Sequence, residues 1–211
     1  MQRQTRADKI RKILNTIYPE VQTQLYHKTP FQLLIATILS AQCTDKQVNL
    51  VTKDLFARLK TPEDFSKARI KTIEALIRST GFYHNKAKNI KNCAKALIEE
   101  HNSRVPGRLE DLVKLPGVGR KTANVVLGAA FGIPGIVVDT HVARISGRLA
   151  FTENKDPVKI EFDLMEIIPR KEWGDFCLRL IFFGRETCSA RKPKCPECPV
   201  IKLCPWPGKT G

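Results

Sequence analysis

Four cysteines crowd the last stretch of the chain, at Cys188, Cys195, Cys198 and Cys204. Four thiolates in one short loop can enclose a single inorganic centre. In a reducing compartment such clustering points to metal binding rather than disulfides. Zinc sites usually pair their ligands as two short C-x2–4-C units, and here only Cys195 and Cys198 form one. The wider outer spacings suit a loop wrapped around a larger body, and a four-cysteine iron–sulfur cube fits better. On spacing alone zinc stays open. The other thiols, Cys43, Cys93 and Cys177, sit among apolar helical residues and read as core packing, with Cys43 beside a possible functional turn.

The second chemical feature is Leu115-Pro116-Gly117-Val118-Gly119-Arg120-Lys121, between two amphipathic segments. Its two glycines allow a tight turn with positive φ and keep no side chain between backbone and ligand. The helix that follows would offer unpaired N–H groups at its positive end. Together these make an anion site suited to a DNA phosphate, which positions DNA without reading its sequence. A plain helix-to-helix turn also favours Pro and Gly. The flanking Arg120 and Lys121 favour DNA. A further basic run, including Arg191 and Lys192, lies between the first two clustered cysteines. Fixed by a centre, it would aim charge at a phosphate backbone; otherwise it is a solvated charge run.

The whole chain has the same bias. Its 211 residues carry a net charge of +15, from 36 Lys and Arg against 21 Asp and Glu. That excess asks for a polyanionic partner, nucleic acid first. A hydrophobic fraction of 42% predicts a packed core and excludes bulk disorder. The polar start, Met1 to Arg6, has no secretory signal, and no apolar run reaches membrane-spanning length. A cytoplasmic, nucleoid-associated monomer is expected, with no membrane partner.

Helices must position these groups. Ile10, Ile13, Leu14 and Ile17 follow the helical period. Thr29-Pro30-Phe31-Gln32 and Thr44-Asp45-Lys46-Gln47 read as capping boxes, and Thr61-Pro62 starts a short helix. Helical spacing continues through Ile70–Ile77, Ile90–Leu97, Leu109–Val113, Val125–Ala130, Val142–Leu149 and Phe162–Ile168. A last long helix, Trp173 to Phe183, is expected to stop at Gly184. The β-branched run Ile136-Val137-Val138 is too short to found a sheet. The fold class is therefore all-α, with about ten helices and a lobe boundary near Pro134-Gly135.

At these residues the chain resembles the endonuclease III family of DNA glycosylases, in the helix-hairpin-helix superfamily. The segments are Ser40-Ala41-Gln42-Cys43-Thr44-Asp45, Leu115 to Val126, Val138-Asp139-Thr140-His141-Val142 and the cysteine spacing. The resemblance implies two helical lobes with a DNA groove between them. One is a six-helix bundle over 22–134, with the helix-hairpin-helix at about 108–131. The other joins 1–21 to 135–211 and holds a 4Fe-4S cluster, so the N-terminal helix packs with the C-terminal ones. It also implies a partner, double-stranded DNA with oxidised pyrimidines or abasic sites.

Lys121 matches the family's nucleophile. Its place in a helix's first turn beside Arg120 disfavours the ammonium, which would free the amine to attack sugar C1′. Asp139 matches the catalytic carboxylate, which stabilises positive charge on the sugar; as a residue it also reads as a helix N-cap. Gln42 matches a residue that grips the orphaned partner base. Phe82 falls where the family has an aliphatic wedge, and reads equally as a core residue. Gly117, Val118, Gly119, Arg120 and His141 complete the expected DNA contacts. A mismatch glycosylase of the same fold would lack Lys121, and adenine-removing relatives carry a further C-terminal domain, which a chain ending at Gly211 is expected to lack. A non-catalytic iron–sulfur DNA-binding protein would be expected to lose Lys121 or Asp139.

Overall fold

The computed structural model describes residues 1–209; the last two residues of the expected second lobe lie outside it. Eleven α-helices follow in chain order: α1 (Arg3–Ile17), α2 (Pro30–Leu39), α3 (Asp45–Arg58), α4 (Pro62–Lys67), α5 (Ile70–Ile77), α6 (Tyr83–His101), α7 (Leu109–Leu112), α8 (Arg120–Phe131), α9 (Thr140–Arg148), α10 (Pro157–Ile167) and α11 (Trp173–Glu186). Among the described residues there is no strand. No helix among them is long and apolar enough to cross a membrane.

Two compact units emerge. One is Thr23–Ile133; the other joins Met1–Gln22 to the chain from Pro134 onward. The first unit is built around α2, where Phe31 and every residue from Leu33 to Leu39 is buried. A helix apolar on all sides has no solvent face, so it must lie at the centre. Leu55, Phe65, Ile73, Ile90, Leu97 and Val126 close around it. Each such side chain contributes roughly 1.5–3 kcal/mol of burial. Helix α7 is a single turn, so six longer helices, α2 to α6 and α8, make the body of this bundle.

The second unit is discontinuous because arginines hold α1 to the C-terminal half. Arg3 Nε donates to the Phe151 carbonyl at 2.7 Å, and Arg6 Nε to that of Leu149 at 2.8 Å. Arg11 pairs with Glu172 at 2.6 Å, and Arg179 Nε donates to Tyr18 O at 2.9 Å. Beneath them Ala7, Ile10 and Leu14 join Phe151, Phe176, Leu180 and Phe183 in one core. The stripe differs slightly from the expected one, for Ile17 is exposed.

Two local expectations are corrected. The boxes at Thr29 and Thr44 form only half: each threonine accepts from the backbone N–H three residues on. Gln32 instead accepts from Lys28 N, and Gln47 donates to Ser79 Oγ at 2.8 Å. The reciprocal box forms at Thr61, where Asp64 supplies the return bond. Gly184 does not stop α11, which runs on to Glu186. A Cβ there would lie 2.7 Å from His141 Nδ1 and 2.8 Å from Ile145 Cδ1. Glycine at 184 lets α9 approach α11 closely.

Candidate functional site

The hairpin is anchored from below and bare on top. Leu115 and Val118 are buried in the core of the first unit, and Val118 N donates to Leu115 O at 3.0 Å. The backbone at Gly117 and Gly119 is exposed. Gly117 has φ +79, and a Cβ there would stand 2.8 Å from Asn89 Cβ. Both facts demand glycine. Gly119 differs from expectation: its backbone is extended, with φ −91 and ψ 174, and a Cβ would meet nothing. It is the N-cap of α8 and, being glycine, provides no side-chain cap at the helix's positive end. Val118 can reach DNA only through its backbone, since its side chain is buried.

Arg120 and Lys121 are the first two residues of α8. The helix fixes them by burying Ala123, Val126 and Leu127. Lys121 is exposed and has no hydrogen-bond or ion-pair partner among the described residues.

Two other exposed tips belong to this unit. Gln42, in the turn after α2, has φ 53, and Phe82, the N-cap of α6, has φ 49. Left-handed backbone at non-glycine residues is strained and persists only where surroundings impose it. Phe82 is 64% exposed, which removes the reading of it as a core residue. Burial pushes the Cys93 and Cys177 thiols up to about 12, in keeping with core packing.

In the second unit Asp139 is the N-cap of α9. Its Oδ1 accepts from the backbone N–H groups of His141 and Val142, both at 2.8 Å. The His141 ring faces inward, with Nδ1 3.2 Å from Arg144 Nη2 and against Gly184. The Nδ1 edge of the ring thus lies in the α9–α11 contact.

Cys188, Cys195, Cys198 and Cys204 line one cavity with Arg148, Leu149, Phe183, Val200 and Trp206. Burial pushes the Cys198 thiol up, a backbone N–H at Val200 opposes this, and Cys188, Cys204 and Cys195 push it up further. Among the described residues no three His, Cys, Asp or Glu side chains converge on a single ion. Arginines of α9 hold the loop. Arg144 Nη2 donates to the carbonyl of Cys188 at 3.0 Å. Arg148 donates to Cys188 Sγ at 3.2 Å and to the carbonyls of Ser189 and Ala190 at 2.8 Å, and stacks 4.0 Å over Trp206. Lys194 N closes the loop onto Thr187 O at 2.9 Å, leaving Arg191 and Lys192 exposed. Sequence reading missed Arg144 and Arg148. Their signal was an i, i+4 basic pair directly after the Asp139 cap.

Comparison with known proteins agrees with this architecture. The family model described as "HhH-GPD superfamily base excision DNA repair protein" matches residues 35–170. Endonuclease III of Synechocystis sp. is 51% identical over 201 residues, 95% of this chain and 92% of that protein. A solved non-covalent endonuclease III–DNA complex superposes with a TM-score of 0.93 at 46% identity, covering 97% of this chain and 96% of its own. A trapped endonuclease III–DNA covalent intermediate, an estranged-adenine complex, matches with the same figures, 0.93, 46%, 97% and 96%. This chain belongs to the HhH-GPD superfamily of base excision DNA repair proteins and, within it, to the endonuclease III family.

Proposed function

We propose that this protein is a bifunctional DNA glycosylase and abasic-site lyase that removes oxidised pyrimidines from double-stranded DNA. The carrying observation is an exposed, unpartnered Lys121 one residue into a helix whose N-terminus has no side-chain cap. The hairpin grips a DNA phosphate through the backbone around Gly117, Val118 and Gly119, with Arg120 adding charge, so the strand is held beside the amine. A flipped nucleotide presents its sugar to Lys121. The neutral Nζ attacks C1′, the C1′–base bond breaks and the base departs with a proton that the nitrogen loses; the C1′–O4′ bond then opens, O4′ is protonated, and a Schiff base is left. Loss of a proton from C2′ then expels the 3′ phosphate. Asp139 stabilises positive charge on the sugar and assists proton transfer. Gln42 grips the orphaned base, and Phe82 fills the vacated stack as an aromatic wedge. His141 acts from inside its unit by packing α9 on α11.

Cys188, Cys195, Cys198 and Cys204 would hold a 4Fe-4S cluster. Four thiols around one cavity, with a single short C-x2-C pair and wide outer spacings, suit a body several atoms across better than a single zinc. The cluster's contribution is structural, since neither step of the reaction moves net electrons. Tied to it, the loop presents Arg191 and Lys192 to the phosphate backbone. Kinship with a bacterial endonuclease III supports a place at the nucleoid.

The test is borohydride trapping on a duplex with one abasic site or thymine glycol. A covalent adduct abolished by Lys121→Ala is expected. Its absence from iron-replete wild type would overturn the lyase step. Iron analysis and visible absorbance separate the cluster from zinc.

A further inference from the structure

The first unit holds a buried cation for which the chemistry above has no use. Lys86, in the first turn of α6, is only 5% exposed. Its Nζ donates to the carbonyl of Leu39 at 2.9 Å and to that of Thr80 at 2.7 Å. Burial pulls its ammonium below the ordinary lysine value, while Cys43 opposes this. Desolvating a charge to satisfy two neutral carbonyls is costly, and an apolar side chain of equal length would fill the same space at less cost.

What the ammonium gains is a bridge between two loops. Leu39 ends α2, three residues before Gln42. Thr80 ends the 3-10 turn Arg78–Thr80, two residues before Phe82. Each bond thus anchors a segment whose tip is exposed and held in left-handed backbone. The bond from Gln47 Nε2 to Ser79 Oγ, at 2.8 Å, ties the start of α3, which follows the Gln42 turn, to the segment that leads to Phe82. Phe82 is the N-cap of the helix that carries Lys86, and its carbonyl accepts from Lys86 N at 3.1 Å.

We propose that Lys86 is a positioning residue, which sets the separation and aim of Gln42 and Phe82 so that both tips enter a damaged duplex together. This rests on the reading of those tips as DNA contacts. Lys86 touches neither substrate nor reacting atoms. It acts by holding two strained turns in register, so its removal affects the opening of a duplex and spares chemistry on a sugar already exposed.

The experiment compares wild type, Lys86→Met, Gln42→Ala, Phe82→Ala and the two doubles containing Lys86→Met. The readouts are single-turnover base excision from a thymine-glycol duplex and cleavage of an abasic site in single-stranded DNA. Lys86→Met is expected to lose roughly 100-fold on the duplex, the scale of an ångström-sized misplacement, while single-strand cleavage is kept. In its background each tip truncation should cost little, because the tips no longer act together. Ser79 is exposed, so Ser79→Ala folds and should show a smaller loss with the same non-additivity. Should Lys86→Met not fold, Ser79→Ala carries the test alone. Additive effects, or equal losses on both substrates, overturn the role of Lys86 while costly tip truncations leave the DNA reading intact. Tip truncations without effect in wild type overturn that reading, and this proposal with it.

Discussion

Asp139 Oδ1 accepts the backbone N–H of Val142 at 2.8 Å, so the carboxylate proposed to act on the sugar also caps the helix that follows it. The two roles separate by substitution. Asparagine caps as well as aspartate, but carries no charge. Asp139→Asn is expected to keep the thermal midpoint and to lower single-turnover excision by roughly 100-fold or more. Asp139→Ala should lose activity and, in addition, about 1 kcal/mol of stability by denaturant titration.

Lys121 is exposed and packs into no core. Lys121→Ala should therefore change stability by less than about 0.5 kcal/mol. It should abolish the borohydride adduct and leave binding to an abasic duplex within about tenfold, since one phosphate-range charge among many is lost.

The hairpin glycines should respond differently. Gly117→Ala forces a Cβ into Asn89 at a positive φ, and is expected to destabilise by about 1–3 kcal/mol. Gly119→Ala meets nothing and has an ordinary φ, so the fold should tolerate it. Its methyl group would still stand at the proposed phosphate grip. Equilibrium binding should weaken while the unfolding curve stays in place.

Gly184→Ala would drive a methyl group into His141, Ile145 and Arg144. Such overpacking costs about 1–3 kcal/mol. Arg144 also holds the carbonyl of Cys188, so the iron of the proposed cluster should fall alongside the thermal midpoint. Retention of both at wild-type levels would contradict the close α9–α11 approach.

Acid should loosen the tie between α1 and the C-terminal helices. Burial raises the Glu172 carboxyl, but hydrogen bonds from Arg11 and Asn15, with the Arg11 charge, hold it below the usual glutamate range. A carboxyl lowered in the folded state stabilises fully above its unfolded value. That contribution is lost as pH falls from the ordinary glutamate range through the lower folded value. Thermal midpoints should drop across that window. Glu172→Gln should reduce the slope without abolishing it, because Asp163 is lowered as well: burial acts upward there, and Thr152, Asn154 and Arg3 outweigh it.

The sequence by itself determined the fold class, because helical period and caps are local properties. Thr29, Thr44, Asp139 and Asp156 cap the helices they precede. The cysteine loop and the glycine hairpin stood out by residue type at short spacing, whereas Lys121 and Asp139 took their expected roles from the resemblance to the endonuclease III family. What it misjudged depended on partners far along the chain. Gly184 read as a stop, and only the approach of α9 makes it an interior glycine. Gln47 read as half of a capping box, and Ser79, distant in sequence, takes its side chain. Phe82 read equally as core, until its left-handed turn exposed it. Lys86 showed no signal, since its two carbonyl partners lie 47 and 6 residues away. A lysine reads as solvated until the tertiary structure buries it, and burial is set by whatever else packs there.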